Sequence, residues 1–320
     1  TIDSDDPVTF TTGATAATSI GNIVLKGKDT SSEVNMGTWG AANSSVGNIT
    51  WSGSFTANSD LTVGAVLSVG AVSTSAVAAG TITVVLNDST TIGTTMTGGA
   101  GVDKFTGTGG ADTITGAGGA DSLTGGSGAD TITGGEGADT VVGGAGADSV
   151  VLTETAAAAD VVVLAGAAAS NTSTDIDNTV TGFAVANDVI DLTNNAAKKH
   201  GGGALTGYVE AANLGNIADA KGLAVFGENI TVAGDMPTEA EIETYLADSG
   251  SNHQVFFVDN VDQAVYIAAD DGEDTYIMEL NSSGTNKLFT AAEDVGVTIL
   301  KIVGLSDATQ LSAANFSDFS

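Results

Sequence analysis

From Gly98 to Val151 the chain reads as six nonapeptides in unbroken succession: GGAGVDKFT, GTGGADTIT, GAGGADSLT, GGSGADTIT, GGEGADTVV and GGAGADSVV. Position 6 is always Asp (Asp103, Asp112, Asp121, Asp130, Asp139, Asp148) and position 4 is always Gly. Position 8 is always large and apolar: Phe105, Ile114, Leu123, Ile132, Val141, Val150. A flexible glycine-rich linker needs neither a carboxylate at every ninth residue nor an apolar residue two places later. The first six positions predict a turn ending in a carboxylate. The last three predict a short strand with one side chain directed inward. Glycine at positions 1, 2 and 4 permits positive φ and lets carbonyls turn toward one point.

Two nonapeptides make one coil, so Asp103, Asp121 and Asp139 are expected on one edge and Asp112, Asp130 and Asp148 on the other. Calcium takes about six to eight oxygens from carboxylates and backbone carbonyls. One turn with its Asp supplies part of such a shell, and the turn stacked on it supplies the rest. The expected pairs are Asp103 with Asp121, Asp121 with Asp139, Asp112 with Asp130, and Asp130 with Asp148.

These units resemble the RTX nonapeptide GGxGxDxUx, a calcium-binding parallel β-helix repeat. Each unit matches, apart from Thr108 and Ala117 at the second glycine position. The resemblance implies an all-β fold, a right-handed parallel β-roll or β-solenoid with Ca2+ as cofactor. The candidate metal ligands are the six aspartates together with Gly98, Ala100, Gly107, Gly109, Gly116, Gly118, Gly125, Ser127, Gly134, Glu136, Gly143 and Ala145.

The rest of the composition narrows the partners. The 320 residues carry 8 basic side chains, all Lys, against 39 acidic ones, a formal charge of −31. Such a chain repels nucleic acid and anionic membranes and suits divalent cations. The apolar fraction of 42% is too high for an acidic disordered tail. Much of it is Ala and Val, which pack into thin solenoid layers. The absence of cysteine rules out disulfides and thiolate metal sites. No apolar run is long enough for a membrane span, and no N-terminal signal peptide is evident. A chain opening on Thr1 without Met reads as a processed product or a fragment.

Residues 1–97 are rich in Thr, Ser, Ala, Val and Gly, with short alternating runs at Asn22–Leu25, Asn48–Trp51 and Thr81–Val84. Irregular coils of the same solenoid are favoured over a β-sandwich, since three coils need their ends covered. Ile92 and Met96 are expected to point inward. Residues 152–193 are expected to cap the roll. They include the strand Asp160–Leu164 and an acidic segment, Asp175 to Leu192, that resembles the strand closing many RTX rolls. Its aspartates are expected to serve more as capping and turn groups than as calcium sites.

Residues 194–320 are expected to be mostly β. A capping box at Thr238–Glu241 predicts one short packing helix over 238–247. Strands are expected at Gln254–Val258, Ala264–Ala268, Thr275–Leu280 and Val297–Val303, with Asp270-Asp271-Gly272 turning a hairpin. The hairpin, the strand Thr298–Leu305 and the terminus Asn315–Ser320 resemble the C-terminal region of proteins exported by type I secretion. That resemblance implies the secretion apparatus as a partner and a secreted, extracellular location.

Three functional classes fit a calcium-folded exported chain. A structural surface-layer (S-layer) protein that self-associates into an array matches the Ala/Thr/Ser/Val/Gly-rich, acidic, cysteine-free profile best. The C-terminal part of an RTX adhesin is the alternative. An exported hydrolase is disfavoured. His200 and His253 belong to no H-E-x-x-H motif, no G-x-S-x-G elbow occurs, and the repeats never extend to G-x-G-x-x-G. No catalytic residue is assigned, and a non-enzymatic role is expected.

Overall fold

A computed structural model describes residues 2–3, 8–9, 19–27, 34–35, 45–53, 59–62, 68–86, 91–164, 178–191, 207–211, 222–226, 264–270, 273–282 and 294–317. They fall into two compact units, Thr1–Val163 and Leu164–Ser320. The helix expected over 238–247, the strand expected at Gln254–Val258 and the residues around Asp175 lie outside the described residues.

In the first unit the nonapeptide period becomes a strand period. Strands run Val102–Thr106, Thr113–Gly118, Ser122–Ser127, Thr131–Glu136, Thr140–Ala145 and Asp148–Val151. Each of the first four pairs in parallel with the strand two units on, because a glycine turn sends its chain neighbour to the opposite wall. Ile114 lies beside Ile132 and Ile132 beside Val150 on one wall. Phe105 lies beside Leu123 and Leu123 beside Val141 on the other. All six of these side chains are at most 2% exposed, while their flanking Thr, Ser and Lys residues are half-buried or exposed. The strand period of two therefore puts one side chain per nonapeptide into a core a single layer thick. In such a core a void has few neighbours to close it. Ile132→Ala is expected to cost about 2–5 kcal/mol, read as a lowered melting temperature at saturating calcium.

The same walls continue toward the N-terminus with longer coils. Ile23 pairs with Ile49, Ile49 with Val72, Val72 with Met96 and Met96 with Ile114, all in parallel. On the other wall Leu61 pairs with Val84 and Val84 with Phe105. These coils are linked by a neutral ladder at the turns. The Asn22 side-chain oxygen accepts the Asn48 N–H at 3.1 Å, and the Asn48 oxygen accepts the Ala71 N–H at 3.1 Å. An amide needs no counter-ion, so stacking here builds up no charge.

Met96 is fully buried as expected, but Ile92 is 47% exposed. The reason is register. Thr95 pairs with Thr113, which puts Ile92 level with Gly110, in the turn ahead of the strand rather than on the wall that faces the core.

The second unit carries a mixed sheet. Asp294–Val303 pairs in parallel with Asn178–Thr181 and antiparallel with Thr275–Ser282. Thr275–Ser282 pairs antiparallel with Ala264–Asp270, so the expected hairpin forms. Gly222–Phe226 and Gly207–Ala211 extend the sheet in parallel. After the last strand, two short 3-10 turns, Ala308–Gln310 and Ala313–Asn315, fold back. The Asp270 carboxylate accepts the Ala308 N–H at 3.0 Å, and Thr275 donates its hydroxyl to the Leu305 carbonyl at 2.6 Å. Lys301 pairs with Asp274 at 2.6 Å and lies 5.4 Å from the Tyr276 ring centroid. Phe316 is 1% exposed and Asn315 2%, and Asn315 donates to the carbonyls of Val185 and Asp188.

Candidate metal centre

The six repeat aspartates form two carboxylate ladders, one along each edge of the roll. The Asp103 N–H donates to Asp121 Oδ1 at 2.8 Å, and the Asp121 N–H to Asp139 Oδ1 at 2.8 Å. On the other edge the Asp112 N–H donates to Asp130 Oδ1 at 2.7 Å, and the Asp130 N–H to Asp148 Oδ1 at 2.9 Å. All six residues are at most 2% exposed. The pairs are those expected from two nonapeptides per coil.

The ladders run past the glycine repeats at both ends. The Asp139 N–H donates to Asp160 Oδ1 at 2.8 Å, and Asp160 is 1% exposed. Sequence reading took Asp160 as the start of a strand and missed this role. The step to it is 21 residues rather than 18, because Leu152, Thr153 and Glu154 intervene. The signal is nonetheless legible in Thr155–Val163, TAAAADVVV, a nonapeptide that keeps Asp at position 6 and an apolar residue at position 8 but has Ala for Gly. At the other end Asp112 Oδ1 accepts the Thr94 N–H, and Asp103 Oδ1 accepts the Thr74 hydroxyl at 3.0 Å.

The second carboxylate oxygen divides the repeats into two kinds. In the first two, position 2 turns its N–H onto the carboxylate. Gly99 donates to Asp103 Oδ2 at 2.9 Å, and Thr108 donates to Asp112 Oδ2 through its N–H at 2.6 Å and its hydroxyl at 3.0 Å. From the third unit on, position 2 takes positive φ: 80° at Ala117, 117° at Gly126, 112° at Gly135 and 116° at Gly144. A side chain in that region costs roughly 1–2 kcal/mol, which Ala117 alone of the non-glycine described residues incurs. In two of these units Oδ2, of Asp121 and of Asp139, is buried with no hydrogen bond. A buried carboxylate oxygen without a donor is costly unless a cation meets it.

Position 1 shows where a cation would sit. A Cβ added at Gly116 would collide with Asp121 Oδ2 and lie 2.5 Å from the Gly134 carbonyl oxygen. One added at Gly125 would collide with Asp130 Oδ2 and lie 2.5 Å from the Gly143 carbonyl oxygen. Gly98 and Gly107 face the same pair of groups, the Gly116 carbonyl with Asp103 and the Gly125 carbonyl with Asp112. Carboxylate and next-coil carbonyl therefore converge on space that only glycine leaves open.

Position 3 is more committed to the backbone ladder. The Glu136 carbonyl accepts the Gly119 N–H at 2.9 Å and the Ala145 carbonyl the Gly128 N–H at 2.7 Å, which leaves each one lone pair. Ala100, Gly118 and Ser127 donate their own N–H groups to Val77, Gly99 and Thr108. Gly109 is half-buried in the second turn. The Glu136 side chain faces away from the ladder. It accepts the Thr155 N–H at 2.8 Å and the Ala156 N–H at 3.2 Å, which together with the Thr155 hydroxyl hold it below the usual carboxylate range.

Burial pushes the carboxyls of Asp103, Asp121 and Asp139 upward. Asp103 is raised by desolvation, partly offset by the Gly99 and Thr74 hydrogen bonds. Asp121 is pushed up to about 7, by desolvation first and then by the charges of Asp139 and Asp103, against the Asp103 hydrogen bond. Asp139 is pushed up to about 6, by desolvation and by Glu154, against the Asp121 hydrogen bond. A divalent cation would reverse this, since it favours the ionised form. The donor set is oxygen only, which suits a hard cation such as Ca2+. Among the described residues no three side chains of Asp, Glu, His or Cys converge on one point, so the shell must draw on backbone carbonyls. The residues fit the ion. Calcium, when bound, supplies the positive charge these oxygens lack.

Comparison with known proteins agrees. A family model for the RTX calcium-binding nonapeptide repeat, four copies, matches residues 97–132 and 115–150. No curated protein matches the chain.

Proposed function

Starting from RTX calcium-binding nonapeptides across residues 97–150, we propose that the chain is an exported structural protein whose roll folds on extracellular calcium and supports a cell-surface array of the S-layer type. The observation that carries this reading is the pair of buried carboxylate oxygens, on Asp121 and Asp139, held in a β-solenoid without a hydrogen-bond donor. In this reading Asp121 and Asp130 hold ions with the carbonyls of Gly134 and Gly143 in the coils stacked on them, and Asp139 and Asp148 carry the two ladders onward. Asp103 and Asp112 begin the ladder against protein donors. Because the cage exists only in the folded coil, binding free energy is folding free energy. Inside a cell, at low calcium, the repeats would remain unfolded and threadable.

Export through a type I apparatus fits the second unit. Asn315 and Phe316 are buried once that unit folds, so a machine reading this terminus has to meet it before folding. Among the described residues no helix is long and apolar enough to cross a membrane. A non-enzymatic, structural role is part of this reading.

The test is a calcium titration followed by circular dichroism and light scattering together. β signal and particle size should both rise with calcium up to about 1 mM, the extracellular range. A rise in β signal with a monomeric size would replace the array by the adhesin reading. No change in either up to about 10 mM would overturn the calcium-folded roll itself.

A further inference from the structure

The last turn on the Asp139 edge differs from the others. At Gly116 and Gly125 the cradle is closed from above by the carbonyls of Gly134 and Gly143. At Gly134 a Cβ would lie 2.6 Å from Asp139 Oδ2, yet no carbonyl of a following coil is among its nearest neighbours. The following coil is the glycine-free nonapeptide Thr155–Val163, preceded by Leu152, Thr153 and Glu154. Asp139 still takes its place in the ladder, donating its N–H to Asp160 and accepting the Val161 N–H on its carbonyl. Its Oδ2 is buried and accepts no hydrogen bond.

Glu154 enters this turn directly before Thr155 and Ala156, whose N–H groups donate to the Glu136 carboxylate three residues before Asp139. Glu154 Oε2 accepts the Ala158 N–H at 2.6 Å, which anchors the side chain to the capping coil. Its Oε1 is buried and also accepts no hydrogen bond. Its charge acts on the Asp139 carboxyl. Two buried carboxylate oxygens without donors, in electrostatic reach of each other, are repulsive unless a cation lies between them. The three inserted residues thus bring a side-chain carboxylate to a place where the repeats use a carbonyl.

We propose that Glu154 is a ligand of a divalent calcium site at Asp139, replacing the position-1 carbonyl that closes the earlier sites. This rests on the calcium reading of the repeats. An extra negative charge makes this terminal site tighter than the sites closed by carbonyls, since calcium affinity follows ligand charge. The capping coil then locks to the roll when the ion binds.

The experiment is calcium stoichiometry and affinity by isothermal titration calorimetry on the full chain at pH 7.5, comparing E154Q, E273Q and D139N with wild type. Glu154→Gln keeps the acceptor for the Ala158 N–H and removes only the charge. It should lose one ion, or bind that ion about tenfold or more weakly. The E154Q/D139N double variant should lose no more than D139N alone. Glu273→Gln removes an equal charge from an exposed residue of the second unit and should leave the count unchanged. Wild-type stoichiometry and affinity in E154Q would overturn the proposal. So would an equal loss in E273Q, which would trace the effect to net charge rather than to a ligand. A wild-type chain that takes up no calcium would overturn the RTX reading as well, which separates the two failures.

Discussion

Calcium-free protein is expected to be more folded at pH 5 than at pH 8, and calcium is expected to reverse that order. The folded-state values of Asp121, about 7, and Asp139, about 6, lie well above the ordinary carboxylate value of 3.8. A carboxyl whose value rises on folding stabilises the fold while it is protonated. Its contribution is complete below about pH 4 and disappears as pH rises through about 6 to 7. Each tenfold displacement of a proton equilibrium is about 1.4 kcal/mol. The two groups, which titrate as a coupled pair, therefore withhold on the order of 5 kcal/mol from the ion-free fold at pH 8. Domains are stable by only about 5–15 kcal/mol. A loss of that order should lower the ion-free melting temperature steeply between pH 5 and 8.

With the ion bound, the same carboxylates must be ionised, so calcium competes with protons. Apparent calcium affinity should fall as pH is lowered from 7.5 to 5.5, with protons released on binding. The measurement is thermal unfolding of protein passed over chelating resin, at pH 5 and 8, with and without calcium. Calorimetry in buffers of different ionisation enthalpy then counts the protons. Ion-free stability that is flat or rising between pH 5 and 8 would refute the buried-carboxylate account.

Gly125→Ala and Gly137→Ala should both be severe, for different reasons. At Gly125 the φ is not positive, and a methyl group enters the cradle between Asp130 and the Gly143 carbonyl. It should remove one ion from the stoichiometry while core packing stays intact, so much of the damage should appear as weaker calcium-induced folding. At Gly137 the backbone sits at φ 115° and an added Cβ would collide with the Gly119 carbonyl of the previous coil. The turn itself cannot form, and no calcium concentration should restore it. The expected cost is roughly 1–3 kcal/mol of backbone strain plus the clash. Circular dichroism against calcium separates the two. Gly125→Ala shifts the midpoint to higher calcium, and Gly137→Ala lowers the plateau. Indistinguishable titrations would mean that the two glycines serve one purpose.

The nonapeptide period was enough to read off the repeat architecture. Asp at position 6 and an apolar residue at position 8 place each carboxylate on an edge and each apolar side chain inside. That follows because glycine turns and two-residue strand alternation leave one arrangement that buries Phe105, Ile114, Leu123, Ile132, Val141 and Val150 together. Oxygen-only ligands at Asp spacing likewise pointed to calcium. The helix at 238–247 falls outside the described residues, and Ile92 was assigned inward because its register depends on a pairing that local alternation does not encode.

Three features came only from tertiary structure. Thr108 looks like a lapse in the glycine pattern, yet its N–H and hydroxyl satisfy Asp112, a role visible only when side chain and carboxylate are placed together. Asp160 belongs to the ladder because a three-residue insertion is absorbed in the turn and leaves the strand register intact, as the pairing of Val141 with Val162 records. Glu154 is anchored to the same capping coil for the same reason, accepting the Ala158 N–H two residues before Asp160. Sequence spacing specifies what repeats. Where the repeat breaks, the stacking of one coil on the next decides which oxygens face each other.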